Sequence, residues 1–134
     1  MINRTHRFHG RSSLRYVYQK GQTVRAGFVS LRYVHNTRQP SYRVAVVVSR
    51  KVSKSAVVRN RVRRRLYEIV RKHAGRISKP YDLILTVYDE HVADMSHATL
   101  QQAVLGMLSK AAILSGTPTP EAEHGIVDEK ETNI

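Results

Sequence analysis

The sequence predicts an α+β domain with its elements in the order α-β-β-α-β-α, and three observations carry that expectation. Residues 42–49 and 81–88 are apolar at nearly every position, the pattern of strands covered on both faces. Residues 54–72 and 96–111 instead repeat apolar side chains at helical spacing. A length of 134 residues gives one domain a real core and is too short for two comfortable ones.

Ser12 or Ser13 is placed to cap a short first helix with Leu14, Val17 and Tyr18 on one side, and Gly21 ends it. Residues 23–34 read as one strand, with Val29, Leu31 and Tyr33 alternating against Ser30, Arg32 and Val34. The polar stretch 35–41, with Asn36 and Pro40, reads as a turn or hairpin loop. The two-faced apolarity of 42–49 marks it as a central strand. Ser53 or Ser55 caps the second helix, which is expected to end at Ala74 with Gly75 just beyond. Lys79-Pro80 forms a loop before the last strand at 81–88. Ser96 opens a final helix carrying Leu100, Ala103, Val104, Met107, Leu108 and Ala111. Pro118, Pro120 and scattered acids with few large apolar groups then read as a disordered tail. The expected division is a domain over 1–116 and an acidic tail over 117–134.

Charge narrows the function. The formal net charge is +13, and residues 117–134 hold five of the ten acids with a single cation, Lys130. The remainder therefore carries 22 Lys+Arg against 5 Asp+Glu, or +17. Such an excess suits nucleic acid or an anionic membrane. The membrane reading is weak, because the longest apolar run is residues 44–48 and the amphipathic helix has no Trp or Phe anchor. The N-terminus shows no apolar signal core, so cytoplasm is the expected compartment.

The cations concentrate on one helix. From Arg50 through Arg65 there are eight of them and no carboxylate. At 100° per residue, Val58, Val62, Leu66, Ile69 and Val70 share one side, while Asn60, Arg63, Arg64, Tyr67 and Arg71 fall on the other. An ordinary solvated face mixes signs, because like charges at i,i+4 weaken a helix. Here Arg59–Arg63 and Arg61–Arg65 are such repulsive pairs. Phosphate is the counter-ion this pattern fits. Arg59, Asn60, Arg61, Arg63 and Arg64 are the preferred RNA contacts, extended before the helix by Arg50, Lys51 and Lys54. Arginine suits the task because its planar fork grips two phosphate oxygens and stacks on bases.

The segment from Ser49 to Leu66, SRKVSKSAVVRNRVRRRL, resembles the protein subunit of bacterial ribonuclease P. Its Arg59-Asn60-Arg61 core and Arg63-Arg64 pair carry the likeness. Arg7-Phe8, then Leu14, Val17, Tyr18 and Gly21, then Phe28, Val29 and Leu31, support it upstream, and residues 81–85 support it downstream. The resemblance covers residues 7–114. It implies a two-layer α/β sandwich in which the basic helix joins the second and third strands by a left-handed crossover, whereas such units are right-handed in about 98% of cases. It implies a role in removing the 5′ leader from precursor tRNA, with hydrolysis performed by the RNA subunit using magnesium. The protein is expected to bind no cofactor itself. Its implied partners are the catalytic RNA and precursor tRNA, not DNA or membrane. The implied leader cleft lies between the first helix and the sheet, with Leu14, Tyr18, Phe28 and Leu31 as candidates. Leu14 stands where the family usually has Phe, and Tyr67 where it often has Arg.

Catalysis by the chain itself is poorly supported. A two-metal phosphodiesterase needs convergent carboxylates, and outside the tail only Glu68, Asp82, Asp89, Glu90 and Asp94 are present. Acids such as Asp89, Glu90 and Asp94 more often end strands and cap helices. The seven histidines are dispersed, so no catalytic or metal-ligating residue is assigned. A ribosomal or ribosome-assembly protein would share the charge and core and is the competing reading. A DNA-binding module is less favoured, because no companion helix follows a short turn.

Overall fold

The computed structural model describes residues 11–114. Along them run α1 (Arg11–Lys20), β1 (Gln22–Arg25), β2 (Val29–His35), β3 (Arg43–Val47), α2 (Ala56–Lys72), β4 (Tyr81–Val87) and α3 (His97–Lys110). Short 3₁₀ turns occupy Ala74–Arg76 and Glu90–Ala93. The Arg7-Phe8 pair and the tail expected at 117–134 lie outside the described residues.

The α+β class holds, with corrections at particular elements. Residues 23–34 make a hairpin and not one strand. Gly27, at φ 80°, takes the left-handed conformation that reverses the chain. β1 then pairs antiparallel with β2, from Gln22 opposite Tyr33 to Arg25 opposite Ser30. Ser12 and Ser13 lie within α1 and not at its cap. The cap of α2 is Ser55, whose Oγ accepts from the Val58 N–H at 3.2 Å. That helix ends at Lys72 with His73 as its C-cap, short of the expected Ala74, and the chain tightens into the 3₁₀ turn.

The sheet order is β1-β2-β4-β3. β2 and β4 are antiparallel, while β3 and β4 are parallel. Residues 35–41 therefore do not close a hairpin, because β4 inserts between β2 and β3. α2 is the connection between the parallel pair, the one whose left-handed course the resemblance implies. β3 was expected at the centre and sits at an edge. Its apolarity reports helices above and below it, and coverage of the faces says nothing about lateral pairing.

The register sorts the side chains onto two faces. Val29, Leu31, Val44, Val46, Leu83, Leu85 and Val87 point to one, where they form the main core with Val62, Leu66, Ile69 and Val70 of α2. Leu100, Val104, Met107 and Leu108 of α3 complete it. Burying each such side chain fully contributes about 1.5–3 kcal/mol. On the other face α1 packs Val17 against Ala45 and Ile84, flanked by Leu14, Val34 and Val47. Helices thus cover both faces of the sheet, the second only in part.

Polar contacts fix the remaining degrees of freedom. Arg32 donates from Nε to the Val17 carbonyl at 3.2 Å, from Nη2 to the Tyr18 carbonyl, and from Nη1 to Thr23 Oγ1 at 2.8 Å. The last carbonyls of α1 are thereby tied to the sheet. A Cβ on Gly21 would lie 2.5 Å from the Val17 carbonyl oxygen and 2.7 Å from that of Tyr33, which only glycine avoids. Asp82, fully buried, accepts from Arg43 Nε and Nη2 at 2.9 Å each and from Asn36 Nδ2 at 2.8 Å. A buried carboxylate held on both oxygens in this way is compensated for its lost hydration.

Tyr67, expected among the outward residues of α2, is only 7% exposed. Its hydroxyl accepts from the Val46 N–H of edge strand β3 at 3.2 Å. Tyr67→Phe is expected to leave that N–H unpaired and to lower stability by about 1–3 kcal/mol. Urea unfolding of the two proteins measures the difference, and equal midpoints would show that the bond contributes nothing.

Candidate nucleic-acid interface

Packing of Val62, Leu66, Ile69 and Val70 onto the sheet fixes the rotation of α2 about its axis. That rotation leaves Asn60, Arg61 and Arg64 exposed, together with Arg50, Lys51 and Lys54 in the preceding loop. Arg59 and Arg63 are half-buried. Arg59 Nη1 donates to the Ser53 carbonyl at 2.9 Å, bracing the loop against the helix. Arg50, Lys51, Lys54, Ala56 and Arg59 line an open groove of about 680 Å³ at the start of α2. The exposed amides of a helix N-terminus add to the attraction such a groove has for phosphate. Arg63 Nη1 donates to Asn60 Oδ1 at 2.7 Å, holding the two side chains as a unit.

Arg65 serves a different purpose from its neighbours. Its guanidinium turns to the 3₁₀ turn before α3, donating to the carbonyls of Val92 at 2.6 Å and Met95 at 2.5 Å. Two carbonyls without helical partners are satisfied, and one cation leaves the outward array. Carboxylates touch that array lightly. Asp94 Oδ1 stands 3.7 Å from Arg61 Nη2 with both side chains largely exposed, a geometry that contributes little. Glu68 pairs with Arg71 at 2.8 Å, and that hydrogen bond holds its carboxyl well below the usual carboxylate range. Asp89 caps the Glu90–Ala93 turn by accepting from the His91 N–H at 2.9 Å, and also meets His91 Nδ1 at 2.8 Å. The first of these bonds lowers the Asp89 pKa, and the second raises that of His91.

A second surface lies on the α1 side of the sheet. Arg25, Ser30, Thr86 and Val47 form one registered row across all four strands. Tyr88, half-exposed, places its hydroxyl 2.9 Å from Ser30 Oγ. Tyr18, also half-exposed, stands on α1. This face, covered in part by α1, thus carries a mostly polar row and the Tyr88 hydroxyl, with Tyr18 exposed on the covering helix.

Comparison with known proteins identifies the framework. The family model Ribonuclease P matches residues 2–112. The chain is 33% identical over 135 residues to the ribonuclease P protein component of Chloroflexus aurantiacus, covering 92% of this chain and 98% of that protein. The chain belongs to the ribonuclease P protein family. Its fold matches the RNase P protein of Staphylococcus aureus with a TM-score of 0.72 at 23% identity, over 82% of this chain and 98% of that one. The RNase P protein from Thermotoga maritima matches with a TM-score of 0.67 at 22% identity, over 78% of this chain and 96% of that one.

The structure places the four leader candidates on different sides of the sheet. Leu31 is completely buried in the main core and faces α2 and α3, so it cannot line a cleft beside α1. Phe28, half-buried, packs against that same core. Leu14 packs with Val17 on the α1 side, and Tyr18 alone of the four is exposed there. Ser30 and Arg32, the polar half of the β2 alternation, are on the α1 side of the sheet. Arg25 and Thr86 join that side through the strand register, and Tyr88 through its contact with Ser30. Among the described residues no group of three or more His, Cys, Asp or Glu side chains is arranged to hold a metal ion. No helix among them is long and apolar enough to cross a membrane.

Arg61→Ala with Arg64→Ala is expected to flatten the log–log salt dependence of RNA binding by about 0.7–0.9 per lost phosphate contact. Arg65→Ala should instead lower the melting temperature and leave the slope unchanged. Salt titrations of affinity beside thermal melts separate the two, and a slope change for Arg65 would contradict its inward assignment. The His91 contact has its own signature. Because the folded pKa is raised, its stabilisation is full below the unfolded value of about 6.5 and is lost as pH rises through the folded value. NMR titration of His91 should show the upward shift, and Asp89→Asn should remove most of it, leaving the smaller contribution of Glu90 and Asp94.

Proposed function

We propose that this chain is the RNA-binding, noncatalytic subunit of a ribonuclease P, assisting a catalytic RNA in removing the 5′ leader of precursor tRNA. Family membership supports the assignment. The observation that carries the physical reading is the outward array on α2 and its preceding loop, Arg50, Lys51, Lys54, Asn60, Arg61 and Arg64, with Arg59 and Arg63 at its border. A rigid, single-signed array on a packed helix meets folded RNA without first paying for its own ordering. Arg59 and Arg63 support it by holding Ser53 and Asn60.

The single-stranded leader is assigned to the α1 side of the sheet, where Tyr18 and Tyr88 offer stacking surfaces and Arg25 a cation. Base–aromatic stacking tolerates any sequence and contributes about 1–3 kcal/mol per base. This revises the candidate set by replacing Phe28 and Leu31 with residues of the opposite face. Magnesium belongs to the RNA subunit in this reading, and cytoplasm is the compartment. DNA is not a partner.

The reading is tested by mixing purified protein with precursor tRNA at low magnesium, with and without a bacterial ribonuclease P RNA. Cleavage is expected only with the RNA present, and the protein should strongly stimulate it. Cleavage by the protein alone would overturn the division of labour. Failure to stimulate any such RNA would favour a ribosomal or ribosome-assembly role.

A further inference from the structure

At the foot of the sheet, away from the basic groove, Tyr16, Arg38, Gln39, Arg43 and Asp82 are among the residues lining a pocket of about 370 Å³. Tyr16 and Tyr18 are two positions apart on α1, so their side chains leave the helix about 200° apart. The pocket is therefore on the other flank of α1 from Tyr18.

The pocket wall is built and not incidental. Asp82, whose side chain is 1% exposed, holds Arg43 through two hydrogen bonds and Asn36 through a third. Asn36 in turn organises the loop. Its N–H donates to the Pro80 carbonyl at 2.8 Å, its Oδ1 accepts from the Arg38 N–H at 3.1 Å, and its carbonyl accepts from the Gln39 N–H at 3.1 Å. Residues 36–39 are thus anchored through a buried carboxylate to the start of β4. What the anchored loop and the facing Tyr16 present is left unpartnered among the described residues. Among the described residues, the Arg38 guanidinium, the Gln39 amide and the Tyr16 ring make no hydrogen bond, ion pair or ring contact. Tyr16 is 42% exposed.

We propose that this pocket binds one unpaired nucleotide of an RNA strand, with the base on the Tyr16 ring, its edge at the Gln39 amide and its phosphate on Arg38. The inference rests on the RNA-binding reading above and adds a site to it. A cation, an aromatic face and an amide held around one cavity match the three parts of a nucleotide. An inorganic anion would use only the first. Asp82 is neutralised by Arg43, so it does not repel the phosphate, and Arg38 supplies the net positive charge. Tyr16 and Arg38 act here as binding residues, while Asn36, Arg43 and Asp82 position the loop.

The test titrates the full chain with fluorescein-labelled octauridylate by anisotropy over a range of salt, using wild type, Tyr16→Ala and Arg38→Ala. Both side chains project from the surface, and thermal melts verify that the variants fold. Tyr16→Ala is expected to weaken binding about 5- to 100-fold. Arg38→Ala should reduce the log–log salt slope by about 0.7. NMR should show the Tyr16 ring and Arg38 side-chain signals moving with octauridylate, and far less with uridine monophosphate at the same concentration. Wild-type binding with both variants and the Tyr16 signals unchanged overturns the pocket while sparing the RNA-binding reading. Equal binding of the mononucleotide makes this a free-nucleotide site and overturns the strand assignment. Wild type binding neither octauridylate nor any folded RNA would sink the RNA reading as a whole.

Discussion

The rotation of α2 about its own axis is the constraint on which the molecule depends. A helix with cations on five of seven positions from 59 to 65 could point them in many directions, and the core decides. Val62, Leu66, Ile69 and Val70 seat it against β3 and β4, and Tyr67 locks it through the Val46 N–H. A turn of one residue, about 100°, would carry arginines into the core. Apolar packing on one side thus determines where charge is displayed on the other, and the self-repulsion among the arginines is tolerated because burial outweighs it.

Individual arginines in the cluster do unlike work. Arg61 and Arg64 face solvent, Arg59 and Arg63 brace neighbours, and Arg65 satisfies two carbonyls of the chain. Elsewhere Arg32 joins α1 to the sheet and Arg43 neutralises a buried carboxylate. Formal charge therefore overstates the surface available to phosphate. Arginine fills both roles because one guanidinium carries several donors in a fixed plane, useful to a carbonyl and to a phosphate alike.

The helices were legible in the sequence because their periodicity is local. Ser55, the apolar stripe of α2 and the start of α3 at Ser96 all follow from spacing and capping chemistry. The sheet was less legible, since pairing joins residues far apart in the chain. Nothing near Arg43 announces that β4 will insert beside it, and a single glycine with positive φ divides what reads as one long strand. The burial of Leu31 was hidden for the same reason. Leu31 and Ser30 are adjacent in sequence, yet one enters the core and the other the opposite face. Helical spacing alone sets Tyr67 about 60° beyond Val70, outside the apolar stripe, yet its long ring reaches the Val46 N–H of β3.

Both lateral margins of the sheet are blunted. β1 has only four residues, three of them exposed, and ends in Arg25. β3 has a main-chain donor engaged by the Tyr67 phenol. Exposed strand edges invite other chains to add strands and so to aggregate. A protein this rich in surface cation must wait for its polyanion without clumping meanwhile, and the phenol that orients the basic helix also denies one hydrogen-bonding foothold to a stray strand.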